Sequence, residues 1–89
     1  MCSPSIHAIH ADALFASTLQ SSDEVNVSLV HQAITVSLDT YGGAGCAGLV
    51  AQEFGDHPEA AAARMRWARA TVAILASQFI ADMRQVAAA

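Results

Sequence analysis

Cys46, the pair His7 and His10, and the glycines Gly43, Gly45 and Gly48 are the residues whose type and spacing could carry chemistry in this chain. Cys46 falls near an expected helix start, where the helix dipole favours a thiolate. Nucleophilic catalysis also needs a base and a group to orient it, and the sequence does not place His31 or His57 beside the thiol. A small buried cysteine is the preferred reading, and a cysteine-dependent enzyme stands as a second alternative. His7 and His10 are three apart with Asp12 close by, which supplies part of a metal site at most, since two more ligands would have to come from elsewhere. No metal ligands and no catalytic residues are assigned.

The three glycines match G-x-G-x-x-G, the turn that lets backbone N–H groups approach a pyrophosphate at a helix N-terminus. That turn needs an apolar strand running into the first glycine and an acidic residue some 20 positions later. Here "LDTY" interrupts the approach and a long helical pattern follows. No cofactor is expected. The glycines read as a tight turn between helices.

Arginines offer a different chemistry. Residues 47–69 look like a helix-turn-helix: Ala51 and Gly55 match its small residue and turn glycine, Val50 and Phe54 its core side, and "DHPE" opens a second helix. In that alternative Arg64, Arg66 and Arg69 would hold DNA phosphates. The pattern departs from the motif at Asp56 and Arg64, where apolar residues are usual. The base-reading surface would be Glu59, Ala60, Ala62, Ala63 and Arg66, which has few donors for base edges.

Charge is split along the chain. Residues 1–59 hold seven of the eight acids and neither Lys nor Arg, while residues 60–89 hold all four arginines against Asp82, and the net charge is −4. An acidic chain is a poor general match for nucleic acid. The split suggests an acidic half meeting a basic half, within one chain or between two. "MCSPSIHAIH" has no positive n-region and no apolar core, and the longest apolar run, "ATVAILASQFIA", is shorter than the ~20 residues of a membrane helix. With two cysteines and 54% hydrophobic residues, the expectation is a cytoplasmic protein without a membrane segment, built as a single domain over 1–89.

The elements that must position these residues are read as four helices, an all-α, bundle-like domain. The first spans about 4–20, with Ser3 as cap, Pro4 at its first position and apolar residues on two sides. The second spans about 22–41, with "SSDE" as a capping box. Its stretch "VNVSLVHQAITVSL" has strand composition, but Val27, Val30, Ile34, Leu38 and Tyr41 repeat at helical spacing, and helix is the assignment. A third helix covers about 45–54, and the last runs about 58–86 from Pro58. Steps of four and three carry Ala61, Met65, Ala68, Val72, Leu75, Phe79, Met83 and Val86 along one side of it. At 1.5 Å per residue it would be about 43 Å long, more than the roughly 30 Å diameter of so small a domain. An overhanging apolar stripe needs a second surface. A homodimer through Met65, Val72, Leu75, Phe79 and Met83 is expected.

"IHADALFAS" and "GCAGLVAQEFGDHPEAAAARMRWAR", with the overall size, resemble a set of short proteins of high-GC actinobacteria. The likeness covers most of the chain up to about Ala70 and implies a small, cytoplasmic, mainly helical protein. It brings no activity with it. The expected role is a helical protein-interaction or regulatory module without catalysis, with a possible protein partner besides its own copy.

Overall fold

The computed structural model describes residues 5–20 and 26–88, with side chains through 77. Three helices account for nearly all of them: α1, Ile6–Ala16; α2, Val27–Asp56; and α3, Pro58–Ala88. No strand occurs among the described residues. The stretch of mixed signals after Asn26 is helical, so its period outweighs its β-branched composition.

Helix starts follow local capping chemistry. The Ser5 side chain accepts from the Ala8 amide at 3.1 Å and caps α1, a little after the expected start. Asn26 caps α2 by accepting from the Leu29 amide at 2.9 Å, so α2 begins at Val27 rather than near 22. Ser3, Pro4 and the expected capping box at 21–24 lie outside the described residues. α1 ends at Ala16 rather than near 20. There Ser17 turns back, its hydroxyl donating to the Leu14 carbonyl at 2.6 Å and accepting from the Leu19 amide at 3.3 Å. Such local bonds compete with a further helical turn.

The described residues form three helices where four were expected, and Gly42 explains the difference. Instead of a loop between two helices, α2 contains this single non-helical residue, at φ 72° and ψ 169°. That backbone region is essentially restricted to glycine. The break is sharp. The Cys46 thiol reaches the Ser37 carbonyl at 3.7 Å, although nine residues of straight helix would separate the two by about 13 Å. Close approach fixes Gly45 as well: a Cβ there would stand 2.9 Å from the Tyr41 Cβ.

α2 and α3 meet through one residue. The His57 amide donates to the Glu53 carbonyl at 2.7 Å and closes α2, while its own carbonyl accepts from the Ala61 amide at 2.8 Å and opens α3. Pro58, which has no N–H to satisfy, takes the first position of α3.

α1 lies between the other two helices. Ala11, Ala13, Leu14 and Phe15 are all buried, which requires cover on more than one side, and α2 and α3 supply it. The rest of the core is Val30 and Ile34 of α2, Cys46 beyond the break, and Ala61, Met65, Ala68, Val72 and Leu75 of α3. This corrects the expected interface. Met65, Val72 and Leu75 were assigned to a contact with a second copy, and they are instead core residues of one copy, covered by α1. The side chains of Phe79 and Met83 lie outside those described. The molecule measures 50 × 35 × 22 Å, with a radius of gyration of 13.9 Å against about 12 Å for a spherical chain of this length. The 31 residues of α3, about 46 Å at 1.5 Å each, match the long dimension.

Candidate functional site

Arg64 projects from α3 into the end of α1. Its Nε donates to the Phe15 carbonyl at 2.8 Å. Its Nη2 donates to Leu19 at 2.9 Å, Ser17 at 3.0 Å and, more weakly, Leu14 at 3.4 Å. The guanidinium carbon lies 5.7 Å from the Phe15 ring centroid and 5.0 Å from that of Trp67. The last carbonyls of any helix lack intrahelical donors and carry the negative end of its dipole. α1 has no basic residue in its last turn, so a cation from another helix fills that role. Partial burial pulls the Arg64 pKa below the usual arginine range. Of the three arginines considered for phosphate, this one is engaged within the chain, while Arg66 and Arg69 stand exposed on α3.

Around the helix-turn-helix resemblance, Ala51, Phe54, Gly55, Asp56, Glu59 and Ala60 are all exposed, Val50 is half-buried and Ala61 is buried. The motif packs its small residue and turn against the second helix, across a turn of 3–4 residues. Here the joint is His57 alone, and Phe54 stacks instead on Phe15 of α1, with centroids 6.3 Å apart and rings 16° from parallel.

Cys46 is fully buried, with its thiol on the Ser37 carbonyl. Burial raises its pKa and the Asp12 carboxylate raises it further, so the thiol form is favoured. Asp12 is itself shifted upward by burial, against a smaller opposing pull from the Arg69 charge. Asp12 of the acidic stretch and Arg69 of the basic one thus face the same space within one copy. Both line a cleft of about 320 Å³ between α1 and α3 with Ser5, His7 and Met65.

His7, His10 and His31 line a largely apolar cleft of about 410 Å³ with Ile6, Val72 and Leu75. Burial lowers the His10 pKa, and the charges of His7 and then His31 lower it further. Among the described residues no group of three or more His, Cys, Asp or Glu is placed to hold a metal ion. No helix among them is long and apolar enough to cross a membrane.

Large apolar side chains face outward on α2. Leu29, Val36, Tyr41 and Phe54 are exposed, Val36 by 56% and Tyr41 by 50%. Leu29, Ala33, Val36 and Thr40 recur at steps of four, three and four, which places them on one helical face. They form one wall of a groove of about 330 Å³ whose other wall is Ala16–Leu19. A second concavity of about 320 Å³ adjoins it, sharing Ala16 and Tyr41 and adding Phe15, Leu49, Glu53, Ala60 and Arg64. The sequence reading missed this face. Its signal was present in the apolar steps from Leu29 through Val36 to Tyr41, beside a second apolar stripe on the same helix that fills the core.

Compared with known proteins, the chain matches no family model, no curated protein and no solved structure.

Proposed function

We propose that this protein is a small helical protein-interaction module that self-associates and performs no catalysis. The exposed apolar face of α2 carries this reading. An apolar groove two concavities long, walled by Leu29, Val36 and Tyr41, is the kind of surface that soluble proteins expose where a partner covers it. The reactive groups support the second half of the proposal. Cys46 is buried against a carbonyl, and an acid, Asp12, is the charged group acting on it. A nucleophilic cysteine needs the opposite environment.

Sedimentation velocity from about 1 to 200 µM tests self-association, because typical weak-to-moderate protein contacts have dissociation constants in that range. A concentration-dependent shift from monomer to a larger species is expected. A monomer throughout would end the self-association reading. Alkylation of native Cys2→Ser protein tests the catalytic alternative: Cys46 should react only as fast as the chain opens, and rapid labelling would revive it.

A further inference from the structure

We infer that the groove on α2 receives the outer face of α3 from a second copy of this chain, the two copies exchanging these contacts about a two-fold axis. The inference rests on the self-association proposed above and names its surfaces. One chain carries both halves of a complementary contact. The groove is concave and apolar, between Ala16–Leu19 and the Leu29–Tyr41 face, with the Glu53 carboxylate in its second concavity. The outer face of α3 is convex. The small exposed residues Ala63, Ala70 and Ser77 let another backbone come close, Ile74 rises between the last two at 60% exposure, and Arg66 flanks them. These positions lie opposite the Ala61–Met65–Val72 side that α1 covers.

Charge favours this occupant. The chain from residue 26 to 59 presents Asp39, Glu53, Asp56 and Glu59 with no Lys or Arg, while the outer face of α3 presents Arg66. With Ile74 seated between Val36 and Leu19, and α3 running toward the second concavity, Arg66 stands about 12 Å further along, on the Glu53 side. The placement of the two faces favours a closed pair. Ala60 and Arg64 of α3 wall the second concavity, so groove and outer face adjoin along α3. Faces on opposite sides of a molecule string copies into a filament, whereas adjoining faces let two copies close on each other. Each copy then contributes both a groove and a helix face.

Charge reversal tests the contact. Arg66→Glu alone and Glu53→Arg alone each place like charges at both symmetric pairs, and each should weaken association by about tenfold or more. An equimolar mixture of the two variants restores opposite charges at both contacts of the mixed dimer: the retained Glu53 meets the retained Arg66 at one, and the two substituted positions meet with their charges exchanged at the other. Its association should return to within about threefold of the unmodified protein, at the same circular dichroism and melting temperature. Ile74→Asp, at an exposed position, should abolish the pair while leaving unchanged the melt measured at dilutions where the unmodified protein is monomeric. Variants that still pair like the unmodified protein would overturn this interface and leave self-association standing. So would single variants that weaken pairing but fail to rescue each other. Unmodified protein that stays monomeric would overturn both.

Discussion

The carboxyl end of α1 and the outward face of α2 lie side by side, share Phe15 and Ala16 at their border, and have opposite characters. At the end of α1 every named polar group is answered. Arg64 meets four carbonyls, two aromatic rings flank its guanidinium, and Ser17 closes the turn. On α2, Leu29, Val36 and Tyr41 face outward. The first region uses its chemistry to hold α3 to the end of α1. The second has uncovered apolar area, which contributes nothing to the fold of one copy and is available for a contact between copies. Arg64 is thus a residue of the fold, although its type alone suggests a binding surface.

The sharpest way to break that comparison is Arg64→Met. It keeps much of the aliphatic stem but leaves part-buried carbonyls at Phe15, Ser17 and Leu19 without their donor. Hydrogen bonds from a charged donor contribute about 1.5–3 kcal/mol each net, but much of that is regained from water at a part-exposed site, so a loss of about 2–3 kcal/mol is expected. Urea denaturation measures it as a lower midpoint at constant slope. Arg64→Lys should recover less than half, because a point charge cannot span carbonyls that the planar fork reaches together. If Arg64→Met were neutral, the capping role assigned to this arginine would be wrong, and phosphate contact would regain its candidate.

A second contrast tests the break in α2, which swings the far end of that helix toward α1. Gly42→Ala forces an L-residue to φ 72° and should cost about 1–3 kcal/mol. Gly43→Ala, at a negative φ with nothing within 4 Å of the new methyl, should be neutral or stabilising by up to about 1 kcal/mol. Equal effects at the two positions would mean that the break does not depend on the left-handed residue.

These positions also mark how far the sequence could be read. The helical class, an interruption between about 41 and 45 and the start at Pro58 were legible, because each rests on local chemistry that acts wherever the residue occurs. The stripe Ala61, Met65, Ala68, Val72, Leu75 was legible as a buried face. What buries it was not, since periodicity says only that a face is covered, and α1 reaches it before any second copy can. Arg64 was the subtler miss. α1 ends without a basic residue or a glycine, and residues 1–59 contain neither Lys nor Arg, so a lysine or arginine donor for its carbonyls had to come from the chain beyond residue 59. That deduction needs the end of α1 at Ala16, three or four residues before the apolar pattern itself stops.

Surface substitutions sharpen the other side of the comparison. Val36→Ser removes apolar area that one copy leaves exposed, so its melt should shift by no more than the ~0.5 kcal/mol typical of surface changes. The same substitution should weaken association measurably in sedimentation. If it lowered stability by about 2 kcal/mol or more, the α2 face would belong to the fold of one copy.

The smallest effect expected is a pH dependence centred on the His7, His10 and His31 cleft. Burial and the two neighbouring imidazoles hold the His10 pKa below its unfolded value of about 6.5. The folded chain therefore binds fewer protons than the unfolded chain as pH falls through that region, and stability falls with it. The contribution from His10 is fully present above the unfolded pKa and is lost as pH drops through the lower, folded one. Asp12 works in the opposite sense. Its raised pKa means that the folded chain takes up a proton more readily than the unfolded one, so this carboxyl favours folding as pH falls, at values nearer about 4 than 6. A melt series should accordingly decline between about pH 7.5 and 5.5, where His10 governs, and decline less steeply toward about pH 4 than the histidine cluster alone would give. His10→Gln keeps the polar character and removes the titration, and it should flatten the upper part of that slope. A slope unchanged in His10→Gln would mean that the buried side of His10 is not what sets the pH dependence.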